Sequence, residues 1–155
     1  ATSGRSILAV QQVKPDEVSS YGIVDADLPQ VGESSVIRDI VEKPAAKDAP
    51  STLAVAGRYI LDGRIMQTLR TQKAGRGGEV QLTDGIRSLI ALGGVDAYRF
   101  AGHRYDCGSK LGYIEATMTH ALMHPQFGPE VKRLMRELLD GSDRPLVNPA
   151  ARLWA

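Results

Sequence analysis

The sequence predicts an α/β fold, and three observations carry that expectation. Short runs rich in β-branched residues alternate with segments whose apolar residues recur at helical spacing. Strand-like runs fall at residues 6–13, 20–25, 36–42, 54–61 and 95–100, with helical patterns between and after them. The last run leads into His103-Arg104-Tyr105-Asp106-Cys107-Gly108-Ser109-Lys110-Leu111-Gly112, where a carboxylate and a glycine precede a new helix. Ligands of open α/β sheets gather at such strand ends and helix N-termini. At 155 residues and 43% hydrophobic composition the chain can build a proper core. A domain of that size buries roughly 68–70% of its unfolded surface.

The elements follow in order. Ser6-Ile7-Leu8-Ala9-Val10-Gln11-Gln12-Val13 is a near-continuous apolar strand, a type buried on both faces, and it needs neighbours on both sides. Pro15 ends it, because proline cannot donate to a ladder. Gly22 interrupts the short strand after it, which marks either a close approach by a ligand or backbone, or a bulge. Residues 36–42 form a β-branched strand closed by Pro44. A polar loop, 45–52, separates it from the next strand, Leu53 to Leu61, which again holds a central glycine. A short helix from about Gly63 to Arg70 follows, with Ile65, Met66 and Leu69 at helical spacing. Gly75-Arg76-Gly77-Gly78 is a connector without the Lys-Ser/Thr ending or the glycine spacing of a phosphate loop.

A further helix carries Leu82, Ile86, Leu89 and Ile90, with Thr83 as its expected N-cap and Asp84 suited to its dipole. The helix after the focal motif carries Leu111, Ile114, Met118, Ala121 and Leu122, and Pro125 ends it. The last helix has Val131, Leu134, Met135, Leu138 and Leu139 on one stripe, and Gly141 stops it. Residues 1–140 read as one domain and 141–155 as a tail. Leu153 and Trp154 in that tail would be costly to leave in water, so a packing surface, such as a second subunit of a homo-oligomer, is expected.

Composition excludes several classes. A net charge of +1, with acids and bases interspersed, gives no nucleic-acid footprint and no membrane-surface face. No apolar run approaches the roughly 20 residues of a membrane span. A single cysteine, Cys107, rules out an internal disulfide framework and fits a reducing compartment. With no signal-like N-terminus, a cytoplasmic location is expected.

Two places carry chemistry. Glu42 and Lys43 are adjacent, so on a regular strand they point to opposite faces. At a strand end both can reach one ligand, and the pair suits a sugar phosphate. The carboxylate accepts from hydroxyls and the ammonium supplies a point charge to the phosphate. An ordinary surface pair would look the same. Asp106 either meets a metal ion or phosphate, or shares with Ser109 the capping of the helix that follows. His120 and His124 lie one turn apart, but no Glu follows His120 and no third zinc ligand is evident, so they read as surface residues.

Five segments in register resemble the C-terminal half of bacterial UTP–glucose-1-phosphate uridylyltransferases. They are Tyr21-Gly22-Ile23-Val24, Val41-Glu42-Lys43-Pro44, Ala56-Gly57-Arg58-Tyr59, Gly78-Glu79-Val80-Gln81-Leu82-Thr83-Asp84 and Tyr105-Asp106-Cys107-Gly108-Ser109-Lys110-Leu111-Gly112-Tyr113. The resemblance implies a Rossmann-like nucleotidyltransferase fold, a mixed and mainly parallel sheet flanked by helices. It implies formation of UDP-glucose and pyrophosphate from UTP and glucose 1-phosphate with Mg²⁺. Glu42 would bind glucose hydroxyls and Lys43 the sugar phosphate. Gly22 would let backbone approach the sugar, Ala56 and Gly57 would line its other side, and Asp106 would be one of two metal carboxylates. The family's glycine-rich triphosphate loop and second metal aspartate have no counterpart in these residues. The chain is therefore expected to be part of a longer one, inactive alone. The alternative is a non-catalytic sugar-phosphate-binding or assembly module that retains half of the fold.

Overall fold

The computed structural model describes residues 4–75 and 78–141, in two compact units that divide between Gly102 and His103. Arg76 and Gly77 of the expected connector, and the tail with Leu153 and Trp154, lie outside the described residues.

The first unit is a six-stranded sheet with two helices. Its strands are β1 (Ser6–Gln12), β2 (Gly22–Asp25), β3 (Ser34–Val36), β4 (Asp39–Glu42), β5 (Leu53–Ile60) and β6 (Val95–Arg99), in the order β3-β6-β1-β5-β2-β4. β1 does have a neighbour on each side, β6 and β5. It is not buried on both faces, however. Ser6, Leu8 and Val10 are buried, while Ile7, Ala9 and Gln11 alternate with them at intermediate exposure. The reason is the one-sided cover supplied by α1 (Ile65–Thr71) and α2 (Leu82–Gly93). Leu8 and Val10 share a single core with Val24, Ile37, Ile40, Ile65, Ile86 and Leu89. Elsewhere a 3-10 turn, Pro15–Ser20, packs Val18 against Ile23 and Ala54.

The sheet is mixed, as expected, but within these residues it is not mainly parallel. Only β1 and β6 pair in parallel; β1–β5, β2–β5, β2–β4 and β3–β6 are antiparallel. Parallel neighbours need a long crossover, and most connections here are shorter than that. The helix α2 ends one residue before β6 and belongs to the one long return.

The expected single strand over 36–42 is two strands on opposite edges of the sheet. At Ile37 the chain leaves β6, donating its N–H to the Val95 carbonyl, and at Arg38 it joins β2 by donating to the Asp25 carbonyl. Arg38 also reaches the carboxylates of Asp25 and Asp27, and Ile37 is 1% exposed in the core. Those contacts make the crossing a fixed corner rather than a loose loop.

The second unit is a helical hairpin, α3 (Lys110–Met123) and α4 (Gly128–Asp140). His124 stacks on Phe127 at the turn, with ring centroids 3.6 Å apart. Arg133 bridges Glu130 and Glu137 along the outer face of α4. Among the described residues no helix is long and apolar enough to cross a membrane.

Leu8 lies at the centre of the core with 0% exposure. Leu8→Ala is expected to cost about 2–5 kcal/mol of stability, because the packed sheet can relax only partly into the cavity. Chemical denaturation measures it, and an unshifted midpoint would contradict this account of the core.

Candidate functional site

The end of β4 is built around one carboxylate. Glu42 stands directly opposite Gly22 in the β2–β4 ladder, whose register is unbroken from Gly22↔Glu42 to Asp25↔Asp39. Gly22 is thus no bulge. A Cβ there would lie 3.2 Å from Glu42 Oε2, so the missing side chain is what lets the carboxylate fold over β2. Thr83 Oγ1 donates a 2.6 Å hydrogen bond to the same oxygen.

Thr83 was expected to cap α2, and it does not. The helix starts two residues earlier than that cap implies, with Gln81 as N-cap and no side-chain cap bond. Thr83 therefore sits inside the first turn, where its hydroxyl is free to turn toward β4. One turn further, Arg87 Nε donates to Asp39 Oδ1 at 2.7 Å and its Nη2 to the Ile40 carbonyl at 2.6 Å. Burial works against the charge on Asp39, but the hydrogen bonds from Arg87 and the Ile40 N–H hold its carboxyl below its ordinary value. This clamp is therefore complete at neutral pH and is lost only as pH falls through that lowered value.

Lys43 follows with φ 44°, the only non-glycine residue in the left-handed region among those described. Such a conformation costs on the order of 1–3 kcal/mol and persists where the surroundings over-determine it. Here the Lys43 N–H donates to the Tyr21 carbonyl at 3.0 Å, and Pro44 behind it is buried. The turn breaks the strand's alternation, so Glu42 and Lys43 line one cleft of ≈ 510 Å³ with Ser19, Glu79, Gln81 and Asp84. The pair thus stands at a strand end with both residues on one cleft. The sequence gives no site role to Ser19 or Glu79, and it reads Thr83 and Asp84 only as parts of a helix start. The signal for Glu79, Thr83 and Asp84 is the segment Gly78-Glu79-Val80-Gln81-Leu82-Thr83-Asp84, too short to reveal which strand it faces.

Ala56 and Gly57 lie on β5, which adjoins β2 through Ile23↔Ala54. Neither is among the cleft's lining residues. Gly57 has φ 72°, and the pairing of β1 with β5 jumps from Leu8↔Tyr59 to Val10↔Val55 across it. The bulge is therefore at Gly57. Tyr59, just past it, has its hydroxyl pKa raised, by burial first and then by the charge of Glu42.

In the second unit, Asp106 is exposed and precedes the N-cap of α3 by three residues. The cap is Ser109 alone: its Oγ accepts from the Gly112 N–H at 3.1 Å and donates to the Asp106 carbonyl at 3.1 Å. Asp106 Oδ1 accepts from the Gly108 N–H at 3.2 Å. A Cβ on Gly112 would overlap the Asp106 carbonyl oxygen, so only glycine lets the loop lie on the helix. Tyr105 packs edge-on against His103 and His120, at centroid distances of 4.5 and 5.7 Å. Cys107 is exposed.

Asp106 presents one hard anionic donor, and Mg²⁺ takes one or two carboxylates with phosphate oxygens and water. The residue fits that part. Among the described residues no three His, Cys, Asp or Glu side chains are grouped to hold a metal. Any remaining ligands would come from outside the described residues.

Cap and acid can be separated by experiment. Ser109→Ala is expected to cost about 1 kcal/mol of stability. Asp106→Asn should leave stability unchanged, because Asn can accept the same Gly108 hydrogen bond. Gly112→Ala should destabilise more than Ser109→Ala, since the Asp106 carbonyl must move. Thermal unfolding of the three variants checks the order.

A nucleotidyl transferase family profile matches residues 1–122. The chain is 39% identical over 136 residues to the UTP–glucose-1-phosphate uridylyltransferase of Staphylococcus epidermidis, covering 88% of this chain and 47% of that protein. It is 41% identical over 138 residues to the enzyme of the same name from Haemophilus influenzae, again covering 88% and 47%. Among solved structures, UDP-glucose pyrophosphorylase from Acinetobacter baumannii superposes with a TM-score of 0.79 at 45% identity, over 88% of this chain and 47% of that one. The chain thus spans about half the length of the curated relatives it matches. With more than half of its residues inside the profile, the chain belongs to the nucleotidyl transferase family.

Proposed function

We propose that the enzyme containing this chain joins glucose 1-phosphate to the α-phosphorus of UTP, forming UDP-glucose and releasing pyrophosphate. These residues would supply the sugar-phosphate cleft and one metal carboxylate. The observation that carries the reading is the cleft at the end of β4, where one ammonium, Lys43, stands among the acceptors Glu42, Glu79 and Asp84. Carboxylates accept from sugar hydroxyls, and a lysine binds a phosphate as a point charge. The relatives' names point to the same substrates.

The chemistry asks for positioning and charge neutralisation more than for covalent groups. Lys43 holds the phosphate of the sugar so that one of its oxygens faces the α-phosphorus. That oxygen is already anionic, so no general base is needed. Its bond to the α-phosphorus forms as the bond to the pyrophosphate oxygen breaks. Asp106 would hold Mg²⁺, which when bound supplies charge neutralisation to the phosphates. Cys107 has no part in this scheme. The exposed apolar residues of α3 and α4, Leu111, Ile114, Leu134 and Leu138 among them, support a homo-oligomer. A single exposed cysteine fits a cytoplasmic setting.

Lys43→Ala in the full-length enzyme is expected to weaken glucose 1-phosphate binding by about 1.5–3 kcal/mol, the loss of a charge-assisted contact. Lys43→Gly should bind as poorly while being at least as stable as wild type, because glycine accepts the left-handed backbone freely. Glu42→Ala should lower discrimination among hexoses. Titration calorimetry and kinetics measure these effects; unchanged affinity and turnover in all three would end the assignment.

Asp106→Asn keeps the shape and loses the charge, and Mg²⁺ prefers anionic oxygen. Turnover should fall by a factor of roughly a hundred or more. Full magnesium-dependent turnover by a well-folded Asp106→Asn enzyme would leave Asp106 a purely structural residue.

A further inference from the structure

We propose that Thr83 is the positioning residue that fixes the orientation of Glu42 and thereby sets which hexose the cleft accepts; this rests on the sugar-phosphate reading above. Glu42 sits at the exposed end of a strand, on a side chain with three rotatable bonds. An acceptor that samples several rotamers cannot tell one epimer's hydroxyl from another's. Discrimination needs an acceptor held in one place, so that the wrong epimer leaves a polar group unpaired.

One hydrogen bond and one open space place this one. Thr83 Oγ1 donates to Oε2 at 2.6 Å. Gly22 opposite leaves the space into which that same oxygen folds, 3.2 Å from where a Cβ would stand. A carboxylate offers about four acceptor positions, and Thr83 takes one, so the others remain for sugar hydroxyls. The hydroxyl has a single proton, and it is committed to Glu42. Thr83 therefore acts through the carboxylate.

The position of Thr83 is itself determined. Arg87, one turn on along α2, binds Asp39 Oδ1 and the Ile40 carbonyl of β4. Helix and strand are thus tied at two points, and the Thr83 hydroxyl arrives at Glu42 in a set register. Lys43 is held differently, through its own N–H to the Tyr21 carbonyl. The sugar and phosphate ends of the cleft are therefore controlled by separate contacts, and a change at Thr83 should reach only the first.

The test uses the full-length enzyme with Thr83→Val, Thr83→Ser and Glu42→Gln. The kcat/KM values for glucose 1-phosphate and for its C2 and C4 epimers, mannose and galactose 1-phosphate, are compared, with inorganic phosphate as a competitive probe. Thr83→Val should narrow the preference among hexoses by about tenfold, mainly through KM for the preferred sugar. The inhibition constant of phosphate should stay unchanged. Thr83→Ser, which keeps the donor, should restore the preference, and Glu42→Gln should show the same narrowing as Thr83→Val. If Thr83→Val retains the wild-type preference while Glu42→Gln loses it, the inference fails and the cleft reading stands. Equal losses in Thr83→Val and Thr83→Ser, or a parallel loss of phosphate binding, would mean a packing role and overturn it too. Wild-type enzyme that neither binds nor turns over any hexose 1-phosphate would remove the cleft reading and the inference together. Should Thr83→Val fold poorly, Thr83→Ala with calorimetric binding of the three sugar phosphates gives the same comparison.

Discussion

The first unit depends on a crossing made by two residues. β3 and β4 are the outermost strands of the sheet, yet only Ile37 and Arg38 separate them. In a flat sheet of six strands the edges would stand about 24 Å apart, at about 4.8 Å per strand spacing. Three Cα steps reach at most about 11 Å. The sheet must therefore curl until its edges nearly meet, and the Ile37 and Arg38 amides bond to one edge neighbour each, at Val95 and Asp25. That curl gives α1 and α2 a concave face to fill, and it leads β4 out beside α2. The corner thus determines where Glu42 and Lys43 emerge.

At that exit, the backbone and the chemistry are coupled. Lys43 carries a left-handed φ that an ordinary surface lysine would have no reason to keep. The stable ladder behind it and the buried Pro44 after it hold the turn in place. Stability elsewhere in the sheet thus sustains a conformation that is locally unfavourable, a pattern common where geometry serves binding. The acidic character of the cleft works in the same direction. Glu42, Glu79 and Asp84 line the cleft beside Lys43, so acceptors there outnumber cations.

The parts legible from sequence were those set by local pattern. The four described helices and most strands follow from apolar spacing, and the Glu42-Lys43 pair at a strand end was readable from β-branched residues followed by Pro44. What escaped was set by tertiary contact. Ile37 is as apolar and β-branched as its neighbours, so nothing local marks the point where one strand becomes two. Thr83 looks like a cap because threonine before a helical stripe usually is one. Only the neighbouring strand turns its hydroxyl elsewhere. Asp106 and Ser109 could share the cap on sequence grounds, and the hydrogen bonds assign it to Ser109. Gly57, one glycine in a strand pattern, was readable as special, and its role as a bulge needed the register of β1.

The close fit of Gly112 beneath the Asp106 carbonyl makes a loop residue behave as part of a helix. Because that carbonyl rests on the first turn of α3, the carboxylate moves as the helix moves. The 14 residues of α3 form a lever about 21 Å long, at about 1.5 Å per residue. A tilt of roughly 5° about its far end would carry the acid about 2 Å, and shifts near 1 Å are enough to impair a reacting geometry. Packing of α4 against α3 therefore also helps fix where the Asp106 carboxylate stands.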